Sequence, residues 1–143
     1  MRPLVYCILF VLIAGCERGP ATVSGILVPV ELLKSADRNS FDYTGKLAKA
    51  VQKDEQAFQD LLLFSNVADS LASRQQGEVL LALLEKTGDD YFASMLAKLD
   101  KTGRQAAWSV LDEGLAGIGG ETLSKTAPMS WHALLPQQPP ATF

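Results

Sequence analysis

The sequence predicts an all-α protein, a compact bundle or short stack of about five to six helices behind a short apolar leader. Apolar residues recur at helical spacing almost without pause from Phe41 to Leu115. Hydroxyl, amide and glycine residues punctuate that run where helices need starts and stops. The apolar segment that precedes it, Gly25 to Leu33, is broken by Pro29 and so is unsuited to a central strand.

The leader comes first. Met1–Arg2–Pro3 supplies a positive charge, Leu4 to Ala14 an apolar run, and Ile13–Ala14–Gly15–Cys16 a small-residue ending. This is the layout of a secretory signal, too short to cross a hydrocarbon core of about 30 Å comfortably. The ending resembles the lipobox of bacterial lipoproteins, in which an aliphatic and two small residues precede an invariant cysteine. The resemblance covers residues 1–16 only. It implies that residues 1–15 are a signal peptide, that the Cys16 sulfur receives a diacylglycerol, that the chain is cut before Cys16, and that the new amine is acylated by a palmitate-type chain. One acyl chain binds a bilayer only marginally, whereas two or three on one residue make a durable anchor. Glu17 stands where an Asp would commonly signal inner-membrane retention, so the resemblance favours the outer membrane, facing the periplasm.

Residues 16–143 are a normal size for one domain. The chain carries 13 Lys+Arg against 16 Asp+Glu, and Arg2 belongs to the leader, so the body is acidic. No basic patch is available to neutralise phosphates, which argues against a nucleic-acid partner. Of the two cysteines, Cys7 lies in the leader and Cys16 would carry lipid, leaving no thiol chemistry and no disulfide. The single histidine, His132, leaves no basis for a His-rich zinc site, and no cofactor is expected.

Glu17 to Ser24, with Gly19, Pro20, Thr22 and Ser24, reads as a lipidated tether beginning at Cys16 and reaching at most roughly 28 Å. Residues 25–135 form the expected helical domain. Gly25 to Leu33 predicts a short extended stretch feeding a brief helix, packed on the core or, alternatively, forming a lipid-facing lip. Thr44, Leu47, Ala48 and Val51 mark one helix; Ala57, Phe58, Leu61 and Leu62 mark the next, after Asp54. A shorter helical piece, Val67 to Leu71, follows Ser65–Asn66. Ser73–Arg–Gln–Gln76 matches a capping box and predicts a helix from Arg74, with Val79, Leu80, Leu83 and Leu84 on one face and a stop at Lys86–Thr87–Gly88.

Glu85–Lys–Thr–Gly88 recurs as Asp100–Lys–Thr–Gly103, which predicts the same punctuation twice. Between the copies, Phe92, Met95, Leu96 and Leu99 form a core stripe. After the second, Thr102–Gly–Arg–Gln105 offers another capping box before Ala107, Trp108, Leu111 and Leu115. Ala116 to Gly120 ends that helix, Ser130 to Leu135 predicts one or two helical turns docked on the bundle, and residues 136–143 read as a disordered Pro-rich tail.

Candidate sites are few. Gly117–Ile–Gly–Gly120 follows a helix and lacks the Lys–Ser/Thr of a phosphate loop, so it reads as helix termination. Trp131 and His132 are the candidate partner or ligand contacts, with Ser130 beside them. Asp89–Asp90 and Asp112–Glu113 lack calcium-loop spacing and read as solvated charge, the first pair in the first turn of a helix. The expectation is a non-enzymatic envelope lipoprotein that binds a protein partner in an accessory or immunity-type role. The alternatives are a small envelope hydrolase or cell-wall-active protein using His132 or the carboxylates, and a carrier of an apolar ligand.

Overall fold

Helices in this chain start on aspartate. In the computed structural model, which describes residues 19–118 and 123–134, four helices are preceded by an Asp whose carboxylate accepts a backbone N–H from the first turn. Asp42 accepts from Gly45 at 3.0 Å, Asp54 from Ala57 at 2.8 Å, Asp69 from Ala72 at 3.0 Å and Asp100 from Gly103 at 2.7 Å. Each bond satisfies a donor that the helix itself leaves unpaired.

The elements, in chain order, are β1 (Ala21–Val23), β2 (Ile26–Val28), α1 (Val30–Arg38), α2 (Tyr43–Val51), α3 (Glu55–Phe64), α4 (Ser70–Thr87), α5 (Asp89–Ala97), α6 (Lys101–Ile118), α7 (Leu123–Thr126) and α8 (Pro128–Leu134). The architecture is all-α with one small hairpin. The described residues hold eight helices against the expected five to six: the brief helix after Pro29 and the docked turns from Ser130 are present as expected, and the short α7 was not expected. The leader, Cys16 and the Pro-rich tail lie outside the described residues, as does part of the Gly117 to Gly120 stretch.

Three helix boundaries differ from expectation for one reason. The expected piece from Val67 to Leu71 is split, with Val67 in a turn and Leu71 already in α4. Ser73, expected as a cap, lies inside α4, where its N–H bonds to Asp69 O. Thr102 likewise lies inside α6, which Asp100 caps. The repeated Lys–Thr–Gly therefore does opposite work in its two copies. At Gly88 the backbone turns to φ 88° and its N–H closes on Leu84 O at 2.8 Å, ending α4. At Gly103 the same three residues open α6, because the residue before them is Asp, short enough to cap, rather than Glu.

Core positions follow the expected stripes with one rotation. Ala57, Phe58, Leu61, Leu62, Val79, Leu80, Leu83, Leu84, Phe92, Met95, Leu96 and Leu99 are all buried. In α2 the buried face is Tyr43, Leu47 and Ala50, while Thr44, Ala48 and Val51 flank it half-buried. Tyr43 turns the helix that way: its hydroxyl donates to Gln76 Oε1, and Gln76 Nε2 donates to Leu61 O at 2.8 Å. A fully buried glutamine thus has partners for both ends of its amide and ties α2, α3 and α4 together. Burial also pushes the Tyr43 phenol far above its ordinary pKa, so it stays a neutral donor.

The two 18-residue helices, α4 and α6, cross through glycine. A Cβ on Gly77 would stand 1.8 Å from Val110 O, and one on Gly114 would stand 2.5 Å from the Gly77 carbonyl carbon. The backbones meet directly there. Two residues before Gly77 on α4, Gln75 Oε1 accepts the Leu32 N–H at 2.9 Å, supplying the cap that Pro29 cannot give α1.

The N-terminal hairpin places the start of the ordered body earlier than the tether boundary at Ser24 suggests. Ala21 to Val23 pair antiparallel with Ile26 to Val28, in the register Ala21↔Val28, Thr22↔Leu27 and Val23↔Ile26. Ser24 and Gly25 make the turn with φ of 50° and 82°, the positive pair that a two-residue hairpin loop requires. Ile26 and Val28 point into the core, so the Gly25 to Leu33 segment does pack on the body. At the other end, Pro128 opens α8, where its missing N–H costs nothing, and α8 docks on α5 as the Ser130 to Leu135 pattern predicts.

Candidate functional site

The residues around His132 are committed to the fold. Ser130 is fully buried and donates its hydroxyl to Asp89 Oδ1 at 2.6 Å, rather than serving the histidine. The same carboxylate accepts the Met129 and Ser130 N–H groups, both at 2.8 Å. Asp89 begins α5 and caps α8, so the expectation of a solvated pair holds for Asp90, which is exposed, and fails for Asp89. Burial raises the Asp89 pKa, but the bonds from Ser130 and Met129 outweigh it and hold the carboxyl below its usual range.

Trp131 is half-buried, its ring edge-on to Trp108 of α6 with centroids 4.7 Å apart. That contact makes it a packing residue as much as a surface one. His132 is exposed on α8. Asp112 and Glu113 are exposed on α6. Among the described residues no group of three or more His, Cys, Asp or Glu is placed to hold a metal ion. Among them, too, no helix is long and apolar enough to cross a membrane.

The surface feature with binding geometry lies elsewhere, around Phe41. Phe41 follows α1, stacks on Phe64 with centroids 4.7 Å apart, and meets Tyr43 edge-on at 6.0 Å. Phe41 lines two depressions. One is a groove of about 430 Å³ lined by Asn39, Phe41, Phe64, Leu63 and Val67, together with Lys46 and Asp60. The other is a cleft of about 370 Å³ lined by Leu33, Ala36, Phe41 and Tyr43, together with Asp37, Asp42 and Gly19.

Within the groove, Leu63 is 43% and Val67 51% exposed, a large apolar area to leave in water. Lys46 Nζ pairs with Asp60, and Gln56 Nε2 donates to the other Asp60 oxygen at 2.9 Å. The hydrogen bond between them raises the Lys46 pKa and lowers that of Asp60, so both stay charged near neutrality. The arrangement can hold a short apolar segment against Phe41, Leu63 and Val67 while a polar group meets the ion pair.

Sequence reasoning missed this groove, because it joins Lys46 of α2 and Asp60, Leu63 and Phe64 of α3 to Asn39, Phe41 and Val67 of the loops after α1 and α3. One signal was available. Leu63 is out of phase with the Ala57, Phe58, Leu61 and Leu62 stripe, and an apolar residue on the wrong face of a helix is a candidate contact. Comparison of the chain with protein-family models, with curated proteins and with solved structures found no match. The fold and site together define an all-α helical protein with an N-terminal hairpin and an exposed apolar groove.

Proposed function

We propose that this chain is a bacterial envelope lipoprotein, anchored through acylated Cys16 in the outer membrane, whose helical domain binds a protein partner in an accessory or immunity-type role. The observation that carries the binding role is the groove at Phe41, where Leu63 and Val67 are exposed beside a charged pair. Interfaces are marked by such apolar centres with polar rims. The anchor rests on the Ile13–Ala14–Gly15–Cys16 motif. Catalysis is the weaker reading, since Ser130 and Asp89 are spent on holding α8 and no longer serve as a nucleophile and an acid.

Site-specific photo-crosslinking in intact cells tests the binding role. A crosslinker at position 63 or 67 is expected to capture one protein, and capture from 67 is expected to vanish in Leu63→Asp while surviving in Met129→Asp. Equal capture from position 129, or none from 63 and 67, contradicts the groove. The catalytic alternative predicts that His132→Ala abolishes complementation of a deletion strain with the fold intact; the binding role predicts full complementation.

A further inference from the structure

The hairpin carries an exposed apolar residue that neither the core nor the groove explains. Leu27 is 61% exposed, the most of any large apolar side chain among the described residues. Its strand neighbours Ile26 and Val28 are 2% and 0% exposed, so the alternation of a strand puts Leu27 on the face turned away from the core. Thr22, its cross-strand partner, is exposed on that same outer face. No charged residue occurs from Ala21 to Val28. At the turn, Lys86 Nζ from the end of α4 lies 3.2 Å from where a Cβ on Gly25 would stand. The result is an uncharged patch with a leucine at its centre and an ammonium group at its rim.

The length of chain before the hairpin says what covers that patch. Thr22 stands six residues after Cys16, and six extended residues reach at most about 21 Å. The headgroup layer on each side of a bilayer takes up about 5–8 Å of that reach. Once Cys16 is acylated, the hairpin is the nearest element of the body to the lipid, and the body cannot turn it far away. At an interface of this kind a leucine enters the acyl boundary and an ammonium group stays with lipid phosphates.

We infer that the outer face of the hairpin is seated on the bilayer surface, with Leu27 inserted at the acyl boundary and Lys86 among the phosphates. This deepens the proposed anchor and rests on it. Seating converts a flexible leash into an oriented attachment, because two points of contact restrict rotation where one does not.

The test uses full-length protein expressed with its leader, purified and reconstituted into phosphatidylethanolamine–phosphatidylglycerol vesicles. Leu27→Cys introduces the sole free thiol of the mature chain, since Cys7 is removed and the Cys16 sulfur is a thioether. A polarity-sensitive dye on it is expected to be quenched by bromine-labelled lipids at least twofold more than the same dye on Leu71→Cys or Met129→Cys, and to resist aqueous iodide. Lys86→Glu is expected to reduce that quenching. Intact mass of the same samples reports acylation. An acylated chain whose position 27 is quenched no more than position 129 overturns the seat and leaves the anchor standing. A chain without acyl groups overturns both. Shielding of position 27 in cells but not in vesicles assigns the patch to a protein and also overturns the seat.

Discussion

Single residues decide how closely this domain packs. Gly77 and Gly114 let the backbones of α4 and α6 touch, and neither tolerates a methyl group: the nearest atoms to an added Cβ are backbone, at 1.8 Å and 2.5 Å. Backbone cannot rotate aside as a side chain can, so the helices must separate and lose contacts along their length. Gly77→Ala is therefore expected to destabilise the protein by about 3 kcal/mol or more, at the upper end of overpacking effects. Gly103→Ala is the control. There the nearest atom is Asp100 Oδ1 at 3.1 Å, a side chain that can shift, and the gain in helix propensity of up to about 1 kcal/mol offsets the crowding. Urea titrations of the two variants should separate them clearly; equal midpoints would show that the α4–α6 crossing is looser than described. Nothing in the local pattern around Gly77 marks it as a crossing point. Its neighbours Gln75 and Gln76 look like polar surface residues, yet Gln75 is half-buried and meets Leu32 N, and Gln76 is fully buried between Tyr43 and Leu61 O.

At the scale of the element, aspartate caps set the boundaries, and two comparisons test them. Asp69→Ala removes the bond to Ala72 N and the ion pair with Arg38. It is expected to cost about 1–2 kcal/mol, within the range for a lost cap. Ser73→Ala is expected to change stability by less than about 0.5 kcal/mol, since surface substitutions away from caps do little; the reverse order in thermal unfolding would restore the Ser73 box. The second comparison concerns α8. The folded Asp89 carboxyl has a pKa below its ordinary value of 3.8. Its contribution is thus fully present above that value and is lost as pH falls through the folded one. The chain has only two tryptophans, Trp108 on α6 and Trp131 on α8, in edge-on contact. Their fluorescence and near-ultraviolet circular dichroism report docking directly. The signal is expected to stay constant from pH 7 to about 5 and to change only below about pH 4, as the pH falls from the ordinary carboxylate value of Asp towards the lowered folded one. Asp89→Asn should weaken docking at neutral pH as well; a signal insensitive to both changes would detach Asp89 from that role.

Helix existence and core faces were legible from residue spacing, because burying a stripe at period 3.6 requires that spacing whatever the tertiary fold. Boundaries were less so. Ser73–Gln76 satisfies a capping-box pattern, yet Gln76 gains more by entering the core to meet Tyr43 and Leu61 O, and α4 extends back to Asp69. The hairpin was half-visible: Gly25 to Leu33 read as a short extended stretch feeding a brief helix, while the partner strand was hidden in three residues, Ala21 to Val23, that also suit a tether. The Phe41 groove was not legible, since it joins residues of two helices, α2 and α3, to residues of the loops after α1 and α3; Leu63 alone stood out of phase.

For the molecule as a whole, the hairpin and the cleft lined by Gly19 lie on the N-terminal side of the described residues, in the part of the chain that follows Cys16, while the C-terminal helix α8 packs on α5. A partner captured at the groove would be held within a domain's breadth of the lipid. That organisation has value only if Cys16 is acylated, and one measurement addresses it most directly: intact mass and N-terminal peptide mass of the protein extracted from its native membrane. The expected result is a chain beginning at Cys16 that carries a diacylglyceryl thioether and an amide-linked acyl chain, with Cys16→Ser lacking both. A chain that retains residues 1–15, or one that begins elsewhere with an unmodified Cys16, would contradict it.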